Sequence, residues 1–337
     1  MIIVLKNDLK EENRKTLRRF LVDLRVEAVP VTTITQSLLV VVGKCGELTR
    51  EEIRKHSSVA RLIDVDRPYK LASISSLKTK TKFKLGENIT IGNKKIVIMA
   101  GPCSVESKEQ ILNTAGEIKK TGAHILRGGA YKPRTAPYDF QGLGKIGLRF
   151  LKDAADKNNM PVITEVMDIR DIDTIERYTD VFQVGTRNMQ NYPLLKELGK
   201  QKKPVLLKRG MWSTYKELLL AAEYILVGGN ENVILCERGI RTHVPETRFT
   251  LDLNAVPYLK HETHLPVFVD PSHGTGRASL VRAMSRAAVA AGCDGLLIEA
   301  HLDPRRSVSD ADQAISMVEL AKLIKEVRLV AKAVDRI

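Results

Sequence analysis

Eight short apolar runs, each followed by a stretch of helical periodicity, constrain this chain more than any other feature of its sequence. The runs fall at 96–100, 124–127, 161–165, 181–184, 204–208, 233–236, 266–270 and 295–299. Between them lie segments such as 110–120, 148–157, 215–226 and 280–291, whose apolar residues recur at three- and four-residue intervals. Strands that read as nearly continuous apolar runs belong to a parallel sheet covered on both faces. Eight strand–helix units over this length predict a closed (β/α)8 barrel, a TIM barrel, rather than an open doubly wound sheet. No GxGxxG follows the first run and no GxxxxGK[ST] occurs, so neither nucleotide-binding fold has its fingerprint.

Residues 1–65 have a different rhythm. An apolar strand at 2–5 precedes a helix at 11–24 that places Leu17, Phe20, Leu21 and Leu24 on one face. Two β-rich stretches, 27–32 and 37–42, lead to a helix near 49–55 and a strand at 59–65. Thr49 and Glu52 have the spacing of a capping box for that helix. The order βαββαβ predicts a small ferredoxin-like domain. It carries no catalytic constellation, since its histidine, His56, sits among Lys55, Ser57 and Ser58, so a regulatory or assembly role is expected. Residues 66–95 read as a polar, basic linker closed by a hairpin turning at Gly92 and Asn93, and 96–337 as the catalytic barrel.

Charge narrows the partners. The chain has 54 Lys+Arg against 40 Asp+Glu, a formal net charge of +14, which favours anionic ligands. The densest basic stretch, from Lys78 to Lys84, has one aromatic and no zinc-finger or RNA-binding pattern, so it reads as solvated linker and not as a nucleic-acid site. No apolar run approaches the ~20 residues of a membrane helix, and the N-terminus turns charged at Lys6, unlike a signal peptide. Cys45, Cys103, Cys236 and Cys293 form no CxxC pair, which fits a reducing cytoplasm rather than a disulfide scaffold or zinc ribbon.

In a (β/α)8 barrel, chemistry sits where the strands end. Those positions deliver Arg127, Lys132, Arg134, Arg187, Lys208 and Arg238, six cations that would repel one another unless an anion neutralises them. The expected ligand is a phosphate or carboxylate, or several. The first, seventh and eighth units add Cys103, His273, Glu299 and Asp310. This mixed sulfur, nitrogen and oxygen set suits one divalent ion of Mn, Fe, Co or Zn better than Mg or Ca, although Cys103 could equally be a small buried hydrophobe.

At these residues the sequence resembles the 3-deoxy-D-arabino-heptulosonate-7-phosphate synthase family. The segments MAGPCSVE (99–106), LRGGAYKPRTAPYDFQGLG (126–144), VLLKRG (205–210), ILCERGIRT (234–242) and VDPSHGTGR (269–277) carry the resemblance. It covers the barrel by motif and residues 1–65 by arrangement. It implies condensation of phosphoenolpyruvate with erythrose 4-phosphate and water, the first step of aromatic amino-acid synthesis by the shikimate pathway. Carried over by motif, Arg127, Lys132, Arg187, Lys208 and Arg238 would hold phosphoenolpyruvate, and Pro133, Arg134 and Thr135 the aldose phosphate. Cys103, His273, Glu299 and Asp310 would bind the metal, a Lewis acid toward the aldehyde. Lys132 would act as general acid, with Glu165 or a water on the metal as base.

The resemblance also implies a homotetramer or homodimer, and an N-terminal domain that closes over the barrel mouth when tyrosine or phenylalanine binds. Here the second strand, 28–33, is mostly apolar, so weak or absent tyrosine inhibition is expected and the strand reads as packing surface. Three alternatives compete. A 3-deoxy-D-manno-octulosonate-8-phosphate synthase would use arabinose 5-phosphate, but its loop resembles KANRS where this chain reads Lys132, Pro133, Arg134, Thr135. An aldolase could form a Schiff base at Lys208, and a catalytically silent barrel could serve regulation alone.

Overall fold

The computed structural model describes residues 1–33, 36–77 and 79–336; Lys78, the first residue of the basic stretch, lies outside the described residues. The chain opens with β1 (Ile2–Leu5), α1 (Glu11–Asp23), β2 (Ala28–Thr32), β3 (Ser37–Val41), α2 (Glu47–Lys55) and β4 (Val59–Ile63). The strands form one antiparallel sheet in the order β2-β3-β1-β4, the ferredoxin-like arrangement. Alternation along the strands gives the sheet two apolar faces. Ile3, Leu5, Leu39, Val41 and Val59 pack under Leu17 and Leu21 of α1 and Ile53 of α2. Ile2, Val4, Val31 and Leu38 join the core of the barrel instead, which explains the apolar second strand.

The predicted capping box is absent. Helix α2 starts at Glu47 behind an extended Gly46, with no side-chain cap, so Thr49 lies inside the first turn. Arg50 reaches back to the Cys45 carbonyl, 3.1 Å, and toward Glu47, 3.6 Å, which draws the helix start ahead of Thr49.

The linker is stapled to the barrel. Tyr69 donates to Glu262 at 2.6 Å, Arg67 pairs with the same carboxylate at 2.9 Å, and His264 Nε2 lies 2.7 Å from the Leu71 carbonyl. Glu223 accepts the Ala72 N–H at 2.6 Å, and burial pushes its carboxyl up to about 7. Lys80, in the basic stretch, donates to the carbonyls of Lys260 and Thr263. The hairpin β5 (Phe83–Leu85) and β6 (Ile89–Ile91) turns at 86–88, not at Gly92 and Asn93, which follow its second strand.

The barrel strands are β7 (Val97–Gly101), β8 (Ile125–Arg127), β9 (Val162–Val166), β10 (Val181–Val184), β11 (Val205–Lys208), β12 (Val233–Glu237), β13 (Val267–Val269) and β14 (Gly295–Glu299). All pair in parallel with their sequence neighbours, and β14 closes on β7 with Leu296 opposite Ile98. The longer helices around it are α3 (Lys108–Thr121), α4 (Gly144–Lys157), α5 (Ile172–Glu176), α6 (Tyr192–Gly199), α7 (Tyr215–Val227) and α8 (Ala255–Glu262), then α9 (Pro271–Thr275), α10 (Ala278–Ala290) and α11 (Met317–Ala333). Among the described residues, no helix is long and apolar enough to cross a membrane.

Strand alternation sorts the barrel's side chains. Ile98, Leu126, Val162, Leu207, Leu235 and Ile298 face the surrounding helices. Met99, Ile125, Ile163, Val181, Leu206, Cys236, Phe268 and Leu297 fill the interior, and Leu85 and Ile91 of the hairpin seal its strand-start end. Two residues further along these strands, the same inward direction belongs to Arg127, Glu165, Gln183, Lys208, Arg238, Asp270 and Glu299. One pleat therefore produces an apolar floor and a charged mouth. The N-terminal sheet sits at the floor end. Ile2, Leu38 and Ile63 share a small cavity with Leu226, Glu231 and His264, which precede β12 and β13. This placement differs from a domain closed over the mouth: the apolar face of the sheet is already spent on the opposite end of the barrel.

Candidate active site

Two clusters meet at the mouth. In the first, one donor atom from each of Cys103, His273, Glu299 and Asp310 lies within 4.8 Å of the others. Cys103 follows β7, His273 lies in the first turn after β13, Glu299 ends β14, and Asp310 sits in the loop beyond it. Barrel closure makes neighbours of residues separated by up to 207 positions. The Asp270 side chain caps the His273 N–H at 2.9 Å, while its other oxygen lies 2.8 Å from His273 Nδ1. That leaves Nε2 facing Glu299 Oε2 at 3.7 Å, the carboxylate–imidazole orientation that suits a metal ligand.

Asp310 adopts the left-handed region at φ 54°, uncommon outside glycine and held here from both sides. Arg248 grips one carboxylate oxygen at 2.9 Å, and the Cys103 thiol donates to the other at 3.1 Å. Burial raises the Glu299 carboxyl to about 7 and lowers the His273 imidazole to about 3; burial and then Glu299 raise the Cys103 thiol. The imidazole is thereby kept in its lone-pair donor form, and a buried cation would bind the thiol and the carboxyl by displacing their protons. Glu299 Oε1 is buried with no hydrogen-bond partner among the described residues. The spare oxygen and the mixed donor set fit a divalent transition ion.

The second cluster surrounds a cavity of about 300 Å³ whose wall includes Arg127, Lys132, Pro133, Arg134, Thr135, Glu165, Arg187, Lys208 and Arg238. All six cations named from strand ends therefore converge. Lys208 pairs with Asp270 at 2.6 Å, both buried. Although burial opposes it, His273 and Lys208 hold the Asp270 carboxyl well below its usual range. A Lys208 nitrogen engaged by a buried carboxylate is not free to attack a carbonyl, which opposes the Schiff-base reading. Lys132 Nζ lies 2.8 Å from Cys103 Sγ and 3.0 Å from its carbonyl, bridging the two clusters. Glu165 accepts from Gln183 at 3.3 Å, and a Cβ on Gly185 would fall 2.0 Å from its carboxylate, so a side chain there would push the carboxylate out of this position.

Toward the outside, Arg187 approaches the Thr135 hydroxyl at 3.5 Å. Arg134 Nε donates to the Phe140 carbonyl at 3.0 Å, leaving its Nη2 buried without a partner among the described residues. Arg209 and Glu237 are one pleat out of phase and turn away from the mouth, forming a 2.9 Å buried pair with Asp252 also 2.9 Å from Arg209. His301 likewise lies outside the cluster, with Nε2 3.6 Å from Glu106.

Reading strand ends alone names Asp270 without giving it a role and overlooks Arg248 and Gln313. Asp270 orients both Lys208 and His273; its position three residues before His273, at the start of a helix, is a readable signal. Arg248 and Gln313, which hold Asp310 and Glu299, lie in loops with no periodicity to mark them.

The model of the DAHP synthetase I family matches residues 76–334. The phospho-2-dehydro-3-deoxyheptonate aldolase of Thermotoga maritima is 41% identical over 333 residues, 99% of this chain and 98% of that one. The 2-dehydro-3-deoxyphosphooctonate aldolase of Geobacter sulfurreducens is 28% identical over 273 residues, 74% of this chain and 98% of its own. The crystal structure of the Thermotoga maritima phospho-2-dehydro-3-deoxyheptonate aldolase superposes with a TM-score of 0.79 at 40% identity, covering 99% of this chain and 98% of that one. A truncated form of 3-deoxy-D-arabino-heptulosonate 7-phosphate synthase from the same organism gives 0.74 at 43% identity, over 80% of this chain and 98% of its own.

Proposed function

The chain belongs to the DAHP synthetase I family, and from that premise we propose how its barrel mouth condenses phosphoenolpyruvate and erythrose 4-phosphate, with water, into 3-deoxy-D-arabino-heptulosonate 7-phosphate and phosphate. The observation that carries the reading is the contact, through Lys132, between a cationic cavity and a four-residue metal-ligand set. Arg127, Arg187, Lys208 and Arg238 hold the carboxylate and phosphate of phosphoenolpyruvate. Arg134, with its spare Nη2, and Thr135 take the aldose phosphate beside Pro133. Cys103, His273, Glu299 and Asp310 would hold a divalent ion, which supplies Lewis acidity toward the aldehyde carbonyl when bound.

The enol C3 attacks the aldehyde carbon, forming the new C–C bond while Lys132 Nζ gives its proton to the aldehyde oxygen. Positive charge develops at C2, where water adds. The Glu165 carboxylate takes one proton from that water, and the tetrahedral centre collapses to the C2 ketone as its hydroxyl proton passes to the departing phosphate and the bond from C2 to the phosphate oxygen breaks. Asp270 holds both Lys208 and His273 in place throughout. For residues 1–65 we infer an anchoring and assembly role, supported by the apolar sheet face packed on the barrel and by the exposed Val29 and Leu48.

Phosphate release with erythrose 4-phosphate against arabinose 5-phosphate, with and without chelator, tests the reading. Turnover with the four-carbon aldose, lost on chelation, is expected. Preference for arabinose 5-phosphate would move the chain to the octulosonate branch.

A further inference from the structure

Arg238 is anchored unlike the other cations of the mouth. Among the described residues its guanidinium makes no hydrogen bond and no ion pair, although it is only 3% exposed. Burial draws it down to about 10, with the Asp270 charge offsetting only part of that cost. What it does touch is an aromatic ring: its guanidinium carbon lies 3.9 Å from the centre of Phe249. Phe249 is 7% exposed and is not part of the cavity wall, whereas Arg238 is. The ring therefore supports the guanidinium from behind.

The chain is shaped to bring the two together. After β12 it leaves along Arg238 and returns through an antiparallel bridge between Ile240 and Thr250, with N–H to carbonyl bonds of 3.0 and 2.9 Å. Thr247 Oγ1 fixes the Phe249 carbonyl at 2.8 Å. Gly239, at φ +87°, has no Cβ to collide with Phe249; one placed there would sit 2.7 Å from the Phe249 Cβ. A cation over an aromatic face gains most where water is excluded. A guanidinium held against a ring by its face keeps its edges, which carry the N–H donors, clear of the ring, and Arg238 lines the cavity.

We propose that Phe249 is the positioning residue that aims Arg238 at the anionic groups of phosphoenolpyruvate, an inference that rests on the function proposed above. Its role falls on the phosphoenolpyruvate side: Arg134 and Thr135 stand on another loop, and the other cation over the ring, Arg248 at 5.7 Å, pairs with Asp310.

The test compares Phe249→Leu, Phe249→Met and Phe249→Tyr by steady-state kinetics and by equilibrium dialysis of phosphoenolpyruvate, with thermal midpoints measured in parallel. Leu and Met keep an apolar side chain without a π face, and Met stands in should Leu fail to fold. Either is expected to weaken phosphoenolpyruvate binding about tenfold, in proportion to a desolvated cation–π contact. The KM for erythrose 4-phosphate should stay within twofold, and Phe249→Tyr should restore wild-type affinity. Wild-type binding by the Leu or Met variant overturns the proposal, as does an equal rise in both KM values or failure of Tyr to rescue. Arg238→Ala separates the two layers. If it leaves phosphoenolpyruvate binding intact, the assignment of Arg238 is wrong; if it abolishes binding while Phe249→Leu does nothing, only the role of Phe249 falls.

Discussion

The two ends of the barrel share one strand geometry and differ in what its inward positions carry. At the strand starts, residues such as Ile125, Val181 and Leu206 are sealed by Leu85 and Ile91, and the N-terminal sheet packs over the same end. At the strand finishes, the inward positions are Arg127, Lys208, Asp270 and Glu299, all buried charges. Apolar burial contributes roughly 25 cal/mol per Å², whereas buried ions lower stability unless closely paired. The floor should therefore answer to stability measurements and the mouth to activity measurements. Function is thus separable from folding along the barrel axis.

Metal removal gives the largest expected effect. Chelation should abolish turnover and re-addition restore it, and Cys103→Ala should cost on the order of 10³-fold in rate with a small change in thermal midpoint. Full activity after verified metal removal would break the comparison at its strongest point. Next come the anion contacts. Arg238→Ala should raise the KM for phosphoenolpyruvate by about 100-fold, in line with loss of a buried charged hydrogen-bond donor, while Arg134→Ala acts mainly on the aldose phosphate. Equal effects on both substrates would show that the two subsites are misassigned.

At the opposite end, a chain beginning after residue 65 should retain kcat/KM within about threefold and melt at a lower temperature, since it uncovers apolar surface at the barrel floor. Micromolar tyrosine should inhibit neither form strongly. Strong inhibition that vanishes on truncation would show that the N-terminal sheet communicates with the mouth.

The smallest effect concerns Glu223, which clips the linker to α7. Its folded value of about 7 exceeds the ordinary 4.5, chiefly through burial. Between those values the folded chain keeps a proton that the unfolded chain has lost, so stability should fall as pH climbs through this range. Glu223→Gln should flatten that slope in denaturant titrations. An unchanged slope would place the pH dependence elsewhere.

Much of this architecture was legible because buried parallel strands announce themselves. The eight apolar runs lie within a residue or two of β7 to β14, and the rim residues followed from where the runs stop. The four candidate ligands and six cations could be named individually, but their distances could not. Asp270 meets Lys208 across 62 residues, a proximity that only barrel closure creates. Local signals failed where tertiary contacts outweighed them. Thr49 was overtaken by the contacts of Arg50, and the hairpin turned at Gly86 instead of Gly92. The linker, polar in composition, is tied to the barrel at Arg67, Tyr69, Leu71, Ala72 and Lys80, the last capping helix α8, whereas Lys82 and Lys84 stay exposed. Phe249 and Arg248, in an aperiodic loop, had no pattern to mark them.

The plug formed by Leu85 and Ile91 makes the barrel a vessel with a single door. Traffic must then be scheduled. The contacts proposed for phosphoenolpyruvate reach down to Arg127 and Lys208, 5% and 4% exposed, whereas Arg134 and Thr135 belong to the loop nearer the entrance. A molecule seated on the outer pair stands in the path to the inner one. The deep occupant must arrive first, and the seven-carbon product, which spans both stations, must clear the doorway before the next cycle can load. Inorganic phosphate left at either station would obstruct the same route.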